Sequence, residues 1–225
     1  MDVLSQLFLQ NKRVNLTLTL LIFYCFGLLL FRAKITNSIY LFFLAWNLAL
    51  ALIPYLISSY LSVYFRQLQR KTTFFLLSIW LLFLPNSFYI VTDLIHVVRS
   101  EGNLFYLDLL LICSYAVSGF LLGILSLKTV ETIIQTSSKN KRILHYIIPL
   151  ICFLNGFGIY IGRILRFNSW DIISRPLYLF ETLFRVLISL ETVFFSLHFG
   201  TFIYLAFLVF KNITSTSFSH DQTTV

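Results

Sequence analysis

Six times between residues 14 and 210 the chain runs for close to twenty residues with few polar side chains, and that recurrence limits the fold more than any motif does. A soluble protein interrupts its apolar runs every few residues, because one face of each element meets water. A run of about 20 residues is instead what an α-helix needs to cross roughly 30 Å of hydrocarbon. Hydrocarbon offers no hydrogen-bond partner to an open strand edge, so isolated runs of this kind are helices. The sequence therefore predicts an all-α integral membrane helical bundle of about six transmembrane helices, spanning about 14–31, 39–58, 73–92, 104–125, 143–164 and 190–210. The connections are short. Residues 1–211 are expected to form a single transmembrane domain, followed by the polar C-terminal tail 212–225, "NITSTSFSHDQTTV". Composition agrees: with 58% hydrophobic and 12% charged residues, the chain has too little polar surface to coat a soluble molecule of 225 residues.

A formal charge of +8 raises the question of nucleic acid. Lys and Arg are spread in ones to threes between the apolar runs rather than gathered on a basic face, so topology and contact with membrane lipid are the expected uses, and no nucleic-acid partner is expected. With a cytoplasmic N-terminus, the inner segments hold Lys12, Arg13, Arg66, Arg70, Lys71, Lys128, Lys139, Lys141, Arg142 and Lys211, ten of the 17 basic residues. Of the outer seven, Arg163, Arg166, Arg175 and Arg185 fall in one connection, leaving Arg32, Lys34 and Arg99 elsewhere. This places both termini inside. Lys12 and Arg13 ahead of "VNLTLTLLIFYCFGLLLF" imitate a signal peptide, but the run is long and no A-x-A-like cleavage site follows, so it is expected to remain as the first helix. Cys25, Cys113 and Cys152 each stand alone in an apolar run, a pattern of packing residues rather than of disulfides or metal ligands.

Polar residues inside such a chain are costly and therefore informative. The stretch "GFGIYIGRILRFNSWDI" ends an apolar span and at once sets out Arg163, Arg166, Asn168, Trp170 and Asp171. Arg and Trp serve as interfacial anchors, yet other spans end on the same membrane face with acids, amides and a His, which points to a shared binding cluster. Span three brings Asn86 beside the helix-breaking Pro85, and then Asp93 and His96, three apart and so on one helix face. Span four begins with Asp108, and span two carries Asn47 and then Pro54. Depth counting matches Asp93 with Arg163, so the two are expected to pair. Asp93 and His96 are also the candidate general bases of an enzymatic reading. Two ligand-type residues do not make a metal site, and no metal or cofactor is expected.

Between spans five and six, "RPLYLFETLFRVLISLE" fits an amphipathic helix lying at the interface, with Glu181 four residues before Arg185. Gly119 and Gly123, and Gly158 and Gly162, have the spacing that lets membrane helices approach closely. His198 reads as an interhelical hydrogen-bonding residue, with Glu191 on nearly the same face.

The stretches "FLAWNLALALIPY", "WLLFLPNSFYIVTDLIHV" and "GFGIYIGRILRFNSWD" resemble a bacterial family of multipass membrane proteins catalogued as domain of unknown function 1361, over about residues 40–210. Where the family pattern places Ala-Pro after Pro-Asn, this chain has Ser87 and Phe88, so no second proline acts at the kink. The resemblance implies a protein of a bacterial cytoplasmic membrane and no established activity. Three functional classes follow from the residues. The first is binding or transport of a small anionic solute or lipid headgroup, with the arginines as contacts. The second is an enzyme acting on a lipid-linked substrate, and the third a non-catalytic assembly subunit. Nothing in the sequence sets the oligomeric state.

Overall fold

A computed structural model of the chain describes residues 11–99, 104–137, 141–167 and 189–221, with the single positions 174, 177, 182 and 186. Six of its helices are long and apolar enough to cross a membrane, and no strand occurs among the described residues. They are α1 (Lys12–Thr36), α2 (Phe43–Tyr64), α3 (Arg70–Tyr89), α4 (Phe105–Ser137), α5 (Leu144–Arg163) and α6 (Leu190–Asp221). Short 3₁₀ turns precede α2 (Tyr40–Phe42) and α5 (Lys141–Ile143), and a longer 3₁₀ segment, Ile90–Arg99, follows α3. The expected all-α multipass architecture is the observed one. The helices overrun several expected boundaries: α4 continues to Ser137 and α6 to Asp221, well into the segment expected as a polar tail. Hydropathy falls once the interface is reached, but the backbone hydrogen bonds of a helix do not require apolar side chains. The segment expected as an interfacial helix, residues 175–191, falls outside the described residues apart from the single positions 177, 182 and 186 and its last three residues, where α6 begins.

The chain divides into two compact units, 1–126 and 127–225. In the first, α1, α2, α3 and the first part of α4 form an antiparallel up-and-down bundle. Its register is fixed by polar contacts that a bilayer makes worth keeping. The Cys25 thiol lies 3.3 Å from Ser118 Oγ, joining α1 to α4. Tyr55 donates to Asn15 Oδ1 at 2.5 Å, joining α2 to α1. Trp80 Nε1 donates to Ser126 Oγ at 2.7 Å, and Ser126 donates onward to the carbonyl of Pro54 at 3.0 Å, so one buried chain ties α3, α4 and α2. Ser87 likewise donates to the Ala51 carbonyl at 3.2 Å. α4 thus touches all three other helices of the unit.

Glycine sets the α3–α4 distance. A Cβ on Gly119 would meet Ile90 and the Ser87 carbonyl, and one on Gly123 would meet Phe88 and Ser87 at 2.8 and 2.9 Å, so both positions serve the close approach expected of them. In the second unit α5 and α6 pack antiparallel, and the tight crossing belongs to Gly156 and Gly200. A Cβ on Gly156 would strike the Ser196 backbone, and one on Gly200 would lie 2.8 Å from Phe153 Cα. Tyr160 and Phe195 meet edge to face at 5.4 Å beside it. Large apolar side chains such as Leu20, Phe23, Leu30 and Phe31 on α1, and Phe194 and Phe202 on α6, stay exposed. In water such a surface would drive aggregation, whereas lipid is its natural solvent.

Candidate functional site

In the first unit, one end of the bundle gathers the last turns of α1 and α3 with the first turns of α2 and α4, and polar residues concentrate there. Asp108, in the first turn of α4, receives Arg32 in a two-point contact: Nε donates to Oδ1 at 3.0 Å and Nη2 to Oδ2 at 3.2 Å. Arg32 Nη1 also reaches Thr36 Oγ1 at 3.4 Å, while Thr36 donates to the Arg32 carbonyl at 2.9 Å. Both charged side chains are buried. A planar guanidinium meets a carboxylate along two parallel bonds, which fixes orientation as well as distance.

The second polar group is built on the 3₁₀ segment. Ile90, Val91 and Thr92 form a β-branched run, a poor α-helix former, and the Thr92 hydroxyl donates to the Tyr89 carbonyl at 2.6 Å as the helix tightens. A 3₁₀ helix has three residues per turn, so Ile90, Asp93 and His96 line one edge. That edge meets the start of α2, where Tyr40, Phe43 and Asn47 follow one another at spacings of three and four. Asn47 Nδ2 donates to Asp93 Oδ2 at 2.8 Å, and Asp93 is buried. One turn on, Tyr40 Oη and His96 Nδ1 are hydrogen-bonded at 3.1 Å, and the His96 ring lies 4.9 Å from that of Phe43. The shared face expected of Asp93 and His96 is present, more tightly aligned than in an α-helix. Its buried end holds a carboxylate on an amide, and its outer end an imidazole on a phenol.

Asn86 donates to the Phe83 carbonyl at 3.0 Å within α3. The carbonyl that Pro85 leaves without its helical donor is the one four residues earlier, at Leu81, so the amide serves a neighbouring carbonyl in the turn that holds Pro85.

In the second unit, Arg163 closes α5, where a cation suits the negative end of the helix dipole. The amides of Ile164 and Leu165 both reach the Tyr160 carbonyl, at 2.8 and 3.4 Å, and Phe167 N reaches back to the Ile161 carbonyl at 3.2 Å. Between them Arg166 has φ of 59°, in the left-handed region that glycine prefers, and its side chain is exposed. Asn168, Trp170 and Asp171 lie outside the described residues. His198 hydrogen-bonds the Phe194 carbonyl at 2.7 Å and its ring lies tilted against that of Phe194 at 4.0 Å, so the described contact is within α6 rather than between helices.

Sequence reasoning passed over two participants. Arg32 was read as an outer-face charge, although its place directly after an apolar span could have marked it as needing a partner. Tyr40 carried no signal beyond being aromatic at an interface. Of the expected residues, Asn47 and Asp93 come together with each other, Asp108 joins Arg32, and His96 joins Tyr40.

The model of the family described as "Protein of unknown function (DUF1361)" matches residues 46–206. The chain belongs to this family. No curated protein and no solved structure matches it.

Proposed function

We propose that this DUF1361 protein binds a small anionic solute or the headgroup of a membrane lipid at the face where α1 and α3 end and α2 and α4 begin. The observation behind this reading is the 3₁₀ edge. Buried Asp93 anchors the edge to Asn47 at 2.8 Å, and the His96–Tyr40 pair at its outer end offers donors where headgroups sit. An imidazole and a phenol can donate to a phosphate or carboxylate. The sequence sets Arg163 and exposed Arg166 at the end of α5, followed in the chain by Asn168, Trp170 and Asp171, and we include these as binding residues because a guanidinium carries the charge that matches an anion. The ten basic residues on the other side orient this face outward from a bacterial cytoplasmic membrane, with both termini inside.

A second reading, an enzyme acting on a lipid-linked substrate, is favoured by the same Tyr40–His96 bond, because it fixes the imidazole ring as a general base requires. Quantifying lipid phosphorus that co-purifies with the wild type and with His96→Ala and Arg166→Ala tests the binding reading. Both variants should unfold at the wild-type temperature and lose the co-purifying lipid. Variants that fold normally and retain all of it would leave this face without a ligand. Product formation from a lipid-linked substrate, lost in His96→Ala, would move the assignment to an enzyme.

A further inference from the structure

A separate polar site is present in the second unit. Glu131, in the last two turns of α4, has a side chain only 3% exposed, yet both of its oxygens are engaged by ammonium groups. Lys211 of α6 donates to Oε1 at 2.6 Å, and Lys128, one turn earlier on α4, donates to Oε2 at 3.2 Å. The two lysine side chains are 38% and 33% exposed. One carboxylate and two ammonium groups leave a net positive charge at a buried anchor.

Beside this triad lies a cavity of about 210 Å³. Its polar lining comes from Glu131, Gln135, His145, Tyr204 and Lys211, and Ile148 and Phe207 form an apolar wall. Four of the five polar groups can donate hydrogen bonds, and the one carboxylate is occupied in holding lysines. A lysine ammonium has three N–H groups, and Lys211 directs one of them to Glu131. A cation would meet Lys211 head on, and a neutral ligand would leave the surplus charge unused. A tetrahedral anion with several acceptor oxygens matches both the charge and the donors.

We propose that this cavity is a binding site for a phosphate group, carried on a free phosphate ester or on a phospholipid. Lys211, His145, Tyr204 and Gln135 contact its oxygens, Ile148 and Phe207 take the body that carries it, and Glu131 is a positioning residue that holds the lysines. The site is independent of the one proposed above on the α2 and 3₁₀ residues, because the two share no residue.

The test follows unfolding temperature of the full chain in a neutral detergent. Glycerol 3-phosphate is the free-ester probe and dioctanoyl phosphatidic acid the lipid probe, with glycerol and dioctanoylglycerol as their phosphate-free counterparts. The phosphate-bearing probes should raise the unfolding temperature and the counterparts should not. Response to the lipid probe alone identifies a headgroup site, and response to both identifies a site for which the ester suffices. Lys211→Gln and His145→Ala should each weaken the apparent affinity at least tenfold, with Lys71→Gln, a surface lysine of the first unit, unchanged. His145 is exposed, so its variant reports even where loss of Lys211 impairs folding. Equal responses to each probe and its phosphate-free counterpart, or undiminished affinity in His145→Ala, would overturn the proposal.

Discussion

Replacing Asp108 with Asn removes the negative charge that Arg32 reaches through Nε at 3.0 Å and Nη2 at 3.2 Å. Two magnitudes compete in deciding what this costs. An exposed ion pair contributes about 0–1 kcal/mol, because water screens it and side-chain entropy opposes it. Removing one partner of a buried pair costs about 3–5 kcal/mol, because the remaining charge is left without compensation in a medium that solvates it poorly. The side chains of Arg32 and Asp108 are 10% and 4% exposed, which places the pair in the second regime. Even 3 kcal/mol corresponds to a fall of roughly 6–12 °C in unfolding temperature, taking about 2–4 °C per kcal/mol for a chain of this size. Asp108→Asn and Arg32→Gln should each show such a loss. Arg32→Gln combined with Asp108→Asn removes both charges and should cost less than the two single losses added together. Thermal unfolding in detergent, assembled as a double-mutant cycle, reads the coupling. Single losses below about 1 kcal/mol, or simple addition in the double variant, would refute the claim that burial makes this pair strong.

Gly27 has open space where a Cβ would go, so Gly27→Ala should raise stability by up to about 1 kcal/mol, whereas Gly156→Ala should lower it by about 1–3 kcal/mol, both measured by thermal unfolding. Ser126→Ala leaves Trp80 Nε1 and the Pro54 carbonyl without the hydroxyl that links them; a loss of about 0.6–2 kcal/mol is expected, and unchanged stability would show that the chain carries no weight. At Arg166, glycine accepts φ of 59° more readily than Arg, so Arg166→Gly should stabilise by about 0.5–1 kcal/mol while weakening anionic-lipid retention; a destabilised variant would contradict the reading of that turn. In a background lacking Cys25, Cys113 and Cys152, a thiol at position 70 should resist an impermeant reagent applied to intact cells, and labelling from outside would invert the orientation.

The apolar spans were legible because the bilayer imposes a one-dimensional condition. Each crossing needs about 20 apolar residues, whichever helix it later touches. Position along a helix was legible for the same reason, since each residue advances it by about 1.5 Å. That count alone put Asn47, Asp93 and Asp108 near helix ends. The spacing of Asp93 and His96 also survived, because three residues return to one edge in a 3₁₀ helix and nearly so in an α-helix. Helix ends were less legible. Lys128 and Glu131 break the apolar pattern of α4, but its backbone continues to Ser137 and carries Glu131 to Lys211.

What the sequence by itself determined is therefore the number of helices long and apolar enough to cross a membrane, the approximate place of the polar residues along them and the close approach at Gly119 and Gly123. Partner choice belonged to the tertiary structure: Asp108 with Arg32, Asp93 with Asn47, His96 with Tyr40, and Glu131 with two lysines. Each depends on how far one helix is rotated about its axis against another. A helix with apolar residues all round, facing lipid on one side and other helices on the other, carries little in its hydropathy to fix that angle. Interlocking glycines and buried hydrogen bonds set it instead, and these come into being only when the helices pack.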